Sequence, residues 1–532
     1  MGSYAHMMEE KEQNRKLIRA TLAVSAPTLL SRIFGLFRDM IQANYMGTGR
    51  GMDAFTIAYT IPNLLRRLTG EGAMTAAFIP VFTQQKREKS RDELWKFAHY
   101  FFFDLTVIMA LITVLGVVFA PVLVKLISIG FKDVAGKWDL TITLTRFMFP
   151  YIFLISLAAL AMAILNSFRK FFVPAFTPVL FNLSIITLAG VFAGKAKEPS
   201  YVFAAGVVVG GILQLAFQLP FLWRQGMRFR PMLSFTHPGV RKVGKLIVPG
   251  IFGAGLYQIN YAISRMIASF LEEGSVSSLY YAARVQELTL GLFTIALSIA
   301  LLPTFSDQAA KQDINGMKKT LVYSFKLIFL ITLPAMVGLL LLNRPIIQVL
   351  FQRGEFNEQS TAMSASCLIF FALGIPFISG VRIMAPVFYS LKDIKTPVIV
   401  ASCIMGLYIL LSILLMSSLR VGGIALALSI SSVFNFLALF YLLERKIGHI
   451  HKKSILISAF KSAISAAGMG AVVWYFVKHF NFEQMVFIQK LGILAAVISI
   501  GIVVYLVLNL LFSHEDLKSL KNVFSRDEIL KK

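Results

Sequence analysis

The sequence predicts an all-α polytopic membrane protein of about fourteen transmembrane helices, built as two six-helix lobes followed by two extra helices. Three observations predict it. The chain has 532 residues, of which 57% are hydrophobic and only 15% charged, where a soluble chain is nearer a quarter charged. Apolar stretches long enough to cross a ~30 Å hydrocarbon core recur from end to end. Short fragments of the first half also recur in the second at a nearly fixed offset.

The helices are expected at 18–45, 52–84, 93–128, 139–167, 173–194, 200–223, 243–271, 276–307, 318–342, 358–390, 396–418, 422–444, 454–478 and 487–512. Several exceed the length of a perpendicular span, which calls for tilt or extension beyond the bilayer. The formal net charge of +25 reads as loop charge that sets orientation rather than as a nucleic-acid footprint. Lys86, Arg87, Lys89 and Arg91 follow the second helix, and Arg169 and Lys170 the fourth. Arg224, Arg228, Arg230, Arg241, Lys242 and Lys245 surround the 6–7 connection. Lys318 and Lys319 precede the ninth helix, Lys392 and Lys395 join 10 to 11, and Arg445, Lys446, Lys452 and Lys453 join 12 to 13. The intervening loops are poorer in Lys and Arg. The alternation places both termini of a multi-pass membrane protein in the cytoplasm.

Residues 1–7 (MGSYAHM) look like an expression scar. The basic segment carrying Lys11, Arg15, Lys16 and Arg19 then leads into a first helix without a signal-peptide cleavage site. Cys367 and Cys403 sit in apolar spans, so neither a disulfide framework nor a zinc site is expected. No P-loop, nucleophile elbow or metal-ligand cluster is present, so no catalytic residue, metal or cofactor is expected.

The repeat is carried by three pairs. Pro80-Val-Phe-Thr-Gln-Gln85 matches Pro303-Thr-Phe-Ser-Asp-Gln308, and Ser167–Pro174 matches Ser390–Pro397, both 223 residues apart. Pro27 and Pro249 lie 222 apart. Six helices per half make the repeats parallel, and transporters built this way bind substrate between the halves and rock them. The implied organisation is 8–230 for the N-terminal lobe, 231–450 for the C-terminal lobe, 451–512 for the extra helices, and 513–532 for a cytoplasmic tail.

Charges interrupt the apolar spans. Helix 1 carries Ser31, Arg32, Arg38 and Asp39; helix 2 carries Asn63, Arg66, Arg67 and Glu71; helix 8 carries Arg284 and Glu287. A charge at mid-membrane costs about 2.5–3.5 kcal/mol on the lenient insertion scale, so each needs a partner or water. At 100° per residue Arg32 and Asp39 share a face, Arg38 points about 120° away, and Arg284 and Glu287 are i,i+3 partners. The arginines outnumber the acids, and a positive intramembrane cavity wants an anion. The arginine fork matches phosphate. Arg146, Arg265, Lys326, Arg382 and Asp104 also fall in or near spans without a distinct role, and Gly206 and Gly210 are spaced for close helix packing.

At these residues the sequence resembles the lipid II flippases of the MurJ (MviN) family, in the superfamily that also holds MATE drug exporters and polysaccharide-lipid flippases. The matching stretches include Ser31-Arg-x-x-Gly-x-x-Arg-Asp39, Asp53-Ala-Phe55, Pro62-Asn-Leu-Leu-Arg-Arg67, Phe149-Pro-Tyr151, Gly274-Ser-Val276, Tyr280-Tyr-Ala282 with Arg284, and Tyr389–Pro397. The resemblance implies a parallel pseudo-repeat around a central cavity and a groove for an undecaprenyl tail on helices 13 and 14. It implies that Arg32, Arg38, Arg66, Arg67 and Arg284, with Asp39, Glu287, Ser31 and Asn63 beside them, bind the diphosphate of lipid II. The job would be a flippase in peptidoglycan synthesis, acting as a monomer among membrane lipid and cell-wall synthesis proteins. Other readings are an exporter of another lipid-linked oligosaccharide or of drugs, and a non-transporting scaffold. Some relatives carry an acid before the helix-7 arginine as part of a sodium site. Here that position is Ser264 and helix 11 has no acid, so the membrane potential is the expected driving force.

Overall fold

Proline and broken hydrogen bonding cut the long spans into pieces at defined places. The computed structural model describes residues 2–66, 74–480, 482 and 485–512. The first span is α1 (Gly2–Met46), and the second is α2 (Arg50–Arg66) with α3 (Met74–Glu88). Arg67 and Glu71 lie outside the described residues. The third span is α4 (Arg91–Val118) with α5 (Ala120–Ile127), and the fourth is α6 (Lys137–Met148) with α7 (Pro150–Ser167). Pro121 opens α5 and Pro150 opens α7, where the missing N–H of proline costs nothing. Then come α8 (Phe172–Phe192), α9 (Pro199–Gln225), α10 (Pro238–Ala268), α11 (Ser275–Ala310), α12 (Ile314–Phe351) and α13 (Glu358–Ser390). Spans 11 and 12 form α14 (Lys395–Ile447), interrupted at Arg420 by a non-helical φ of 51°. The last two are α15 (Lys452–His479) and α16 (Phe487–Phe512). These bounds fall within a few residues of the sequence expectation for most spans, and α1 begins much earlier. Among the described residues, nine helices are long and apolar enough to cross a membrane.

The chain forms two compact units, Met1–Val276 with Arg353–Phe356, and Ser277–Gln352 with Asn357–Lys532. In the first, α3, α4 and α7 close on a stack of aromatic rings. Phe78 lies 5.2 Å from Phe82 and 5.7 Å from Phe97, and Trp95 stacks on Phe168 at 5.7 Å. The glycine spacing of α9 serves close packing on α8. A Cβ at Gly206 would come within 2.9 Å of the Ile185 Cα, and the Ser184 hydroxyl donates to the Gly206 carbonyl at 2.9 Å. In the second unit, Phe325 packs against Phe436 and Phe440 at 5.7 and 5.8 Å. The α16 stripe Leu494, Val497, Gly501, Tyr505 and Asn509 is buried.

The repeat extends into backbone and core. Ser90 caps α4 by accepting from the Glu93 N–H, and Asp313, 223 residues on, caps α12 by accepting from the Gly316 N–H. Such a cap stabilises by about 1 kcal/mol. Arg169 and Lys392, also 223 apart, both take φ of 59°. Behind them the Lys170 N–H bonds the Leu165 carbonyl and the Asp393 N–H bonds the Phe388 carbonyl, the 6→1 closure of a Schellman cap. The buried pairs Phe82 and Phe305, Phe102 and Phe325, and Leu165 and Phe388 keep the same offset.

At the start of α14 the equivalent turns diverge in chemistry. Asp393 accepts from the Thr396 N–H at 3.0 Å, from the Thr396 hydroxyl at 2.8 Å and from the Lys446 ammonium at 2.6 Å. The Lys446 bond, outweighing partial burial and helped by Thr396, holds the Asp393 carboxyl down at about 2, against about 3.9 when unfolded. A depressed native pKa gives stability that is present above the unfolded value and lost as pH falls toward the native one. Asp393→Asn is therefore expected to lower the thermal unfolding midpoint at pH 7. The gap to the unsubstituted protein should narrow between about pH 4 and pH 2; a gap that is flat with pH would count against the ion pair.

Candidate functional site

The five expected arginines are not equivalent. Arg32 is exposed on α1, with Leu29, Ile33 and Phe37 exposed around it, and meets no partner among the described residues. Arg38, six residues and about 9 Å along the helix, is buried. Its Nε and Nη2 donate to Asp39 Oδ1 at 3.1 and 2.7 Å, and its Nη1 donates to Asn182 Oδ1 on α8 at 3.1 Å. Asn182 in turn donates to the Ser31 carbonyl at 3.0 Å. Helical angle alone groups Asp39 with Arg32. The structure gives Asp39 to its sequence neighbour Arg38 instead, because the long arginine side chain bends back over the adjacent carboxylate.

At the end of α2, Arg66 Nε and Nη2 both donate to Asn63 Oδ1, at 3.1 and 2.9 Å. In the second unit, Arg284 pairs with Glu287 one turn later at 3.1 Å. It also lies over the Tyr280 ring at 4.9 Å and donates to the Tyr280 hydroxyl at 3.3 Å. Ser31, Arg32, Arg38 and Asp39 thus cluster on α1, Asn63 and Arg66 on α2, and Arg284 with Glu287 on α11. Of the four described arginines, all but Arg32 are already oriented by a neighbouring oxygen, which fixes the fork in one plane.

Charges without an expected role also find partners. Arg265 on α10 donates to the Thr60 hydroxyl on α2. Arg146 donates through Nε to the Val117 carbonyl at 3.3 Å, at the end of α4 where the helix ladder stops. Asp104 is not a solvent-facing helix-end acid. It is buried, and its Oδ1 accepts from the Ser234 N–H at 3.0 Å.

A second charged cluster sits where the loops after α1, α5 and α10 meet. Lys137, the first residue of α6, donates to Asp53 Oδ2 on α2 at 2.7 Å, with both side chains almost wholly buried. The ammonium lies 4.1 Å from the Phe131 ring centroid. Asp53 Oδ2 also accepts from the Gly274 N–H at 2.9 Å. Gly274 has φ of 91°, and a Cβ there would stand 2.8 Å from the Thr48 carbonyl oxygen, so glycine is required. The Arg50 N–H donates to Glu273 Oε1 at 2.7 Å, and the Glu355 N–H to the Asn44 carbonyl at 2.9 Å.

The family profile described as lipid II flippase MurJ matches residues 42–496. The chain belongs to the MurJ family. A probable lipid II flippase MurJ of Vibrio cholerae is 34% identical over 526 residues, covering 97% of this chain and 99% of that one. The lipid II flippase MurJ of Burkholderia cenocepacia is 35% identical over 434 residues, covering 81% and 84%. Among solved structures, a lipid II flippase MurJ in an inward closed conformation aligns with a TM-score of 0.77 at 28% identity, covering 92% of this chain and 99% of that one. An inward-facing MATE transporter aligns at 0.68 with 13% identity over 82% and 99%, which establishes a shared fold alone.

Within this MurJ-family chain, the sequence alone did not single out Lys137, Asn182 or Ser234. Lys137 is one loop lysine among many by composition. Asn182 gave the one available signal, an amide within the apolar run Phe172–Phe192. Breaking a buried ion pair by removing one partner typically costs about 3–5 kcal/mol. Lys137→Met is therefore expected to lower the unfolding midpoint sharply in detergent, and Asp53→Leu combined with Lys137→Met to recover much of the loss. A double variant no better than the single one would overturn the pairing.

Proposed function

We propose that this chain is a transporter, not an enzyme, and that it moves lipid II from the cytoplasmic to the periplasmic leaflet of the inner membrane by alternating access. The observation that carries the reading is the family match over nearly the whole chain, joined to Arg32 exposed within an apolar helix. Arg38, Arg66 and Arg284, oriented by Asp39, Asn182, Asn63 and Glu287, supply further forks of the kind that a diphosphate accepts. Arg67 belongs with this set by its place in the motif. A cation exporter on the same fold would want surplus carboxylates, and here Asp39 and Glu287 each lie against an arginine.

The lipid tail would run along α15 and α16, which keep Leu456, Phe460, Trp474, Val503 and Leu511 exposed. In this reading both termini lie in the cytoplasm, as the loop charges favour, and one copy is enough to form the path. The membrane potential drives the cycle in this reading, since Ser264 and an acid-free helix 11 leave the sodium site of some relatives without its carboxylates.

The test is complementation of a strain depleted of its flippase, with lipid II binding to the purified protein as second readout. A charge-assisted contact is worth about 1.5–3 kcal/mol, so Arg32→Ala, Arg38→Ala and Arg284→Ala are each expected to weaken binding roughly 10- to 100-fold and to abolish growth. Insertion and unfolding midpoint should hold for Arg32→Ala and Arg284→Ala. Full growth with all three variants would remove the site assignment. Translocation in vesicles that is indifferent to a collapsed potential would remove the driving force.

A further inference from the structure

The connector between α9 and α10, residues 226–237, has no regular secondary structure, yet it is fastened along its length to the first unit. Gly226 turns the chain with φ of 109°, and Met227 is fully buried behind it. Phe229 meets Phe102 edge-on at 5.3 Å, and the Ser234 N–H is held by Asp104 at 3.0 Å. The His237 ring lies 5.7 Å from that of Phe97 and 5.4 Å from that of Tyr100, and its Nδ1 caps α10 by accepting from the Gly239 N–H at 3.2 Å. Burial, opposed by the Asp104 charge, holds the imidazole below its ordinary value, which favours the neutral ring that can accept this bond.

The residues between the anchors face outward. Arg228, Arg230, Leu233 and Phe235 are exposed, the two apolar ones by 57% and 49%. The flanking helix ends add exposed Trp223 and Leu246 with Arg241 and Lys245. No Asp or Glu occurs between Glu198 and Glu272, so nothing nearby in sequence neutralises these cations. Because the connector is pinned, the mixed basic and apolar face is a fixed feature of the surface.

We propose that this face docks anionic phospholipid headgroups of the adjoining leaflet. The phosphates would pair with Arg228 and Arg230 while Trp223, Leu233 and Phe235 enter the boundary between headgroup and acyl chain. Arginines on a pinned backbone beside large apolar side chains suit that interface, which offers anion and hydrocarbon within one layer. An acidic protein would match the cations but would leave three large apolar groups without a reason to be exposed. The lipid would hold the root of α10 in the membrane plane by the same contacts.

The experiment uses the full-length protein in detergent and native mass spectrometry with phosphatidylglycerol or phosphatidylcholine. Phosphatidylglycerol is expected to be retained in preference, and Arg228→Gln with Arg230→Gln to weaken its apparent affinity roughly 25-fold, about fivefold per cation. Lys392→Gln with Lys395→Gln, an exposed basic pair on another loop, should leave it within about twofold. Leu233→Ala with Phe235→Ala should weaken both lipids alike, and unfolding midpoints check that all variants are folded. No preference for the anionic lipid, an unchanged affinity in the arginine pair, or an equal loss in the lysine pair would each overturn the proposal.

Discussion

Arginine inside an apolar helix is the constraint on which the rest of this structure depends. Its charge cannot be removed by protonation change, so the protein has to supply oxygen atoms to the guanidinium groups it keeps in the spans. The chain meets this in three ways. Arg38 uses a carboxylate and an amide from two helices, Asp39 and Asn182. Arg66 uses an amide one turn back, Asn63. Arg284 uses a carboxylate one turn ahead and an aromatic face one turn behind. Each arrangement gives the guanidinium a partner and so orients it. Arg32 stands apart, exposed and without a partner among the described residues, which makes it the group with most to gain from a bound anion.

The same accounting explains the breaks in the long spans. Where a helix ends inside the apolar layer its last carbonyls have no amide to accept from. Arg146 meets one of them at Val117. Asp104 does the converse, taking the Ser234 N–H of an irregular connector. These residues looked roleless in the sequence because their partners are backbone groups, which composition cannot reveal.

The helix boundaries were legible because apolar length and basic loops report them directly, and the breaks at Phe119 and Phe149 fall beside Pro121 and Pro150. The repeat was legible from three fragments because helix ends demand particular residues; the caps at Ser90 and Asp313 show why those positions keep their offset. The site was legible only as a set of residue types. Angular position on α1 groups Arg32 with Asp39, but a long, flexible side chain reaches beyond its own helical face, and the pairing goes to Arg38. Lys137 could not be singled out at all, since a buried lysine differs from a loop lysine only through what Asp53 and Phe131 place around it.

What the repeat leaves out is as informative as what it keeps. The offset of 222 or 223 runs through caps, turns and buried aromatics, yet it carries none of the intramembrane arginines. Arg32 would fall on Ala254 or Gly255, Arg38 on Asn260 or Tyr261, and Arg66 on Leu288 or Thr289, none of them charged. Arg284 would fall back on Ile61 or Pro62. A cargo with two-fold character would favour equal charges in both halves. The duplicated elements are caps, turns and buried aromatics, which any such scaffold needs, whereas the arginines of α1, α2 and α11 have no counterpart at that offset and so belong to each half separately.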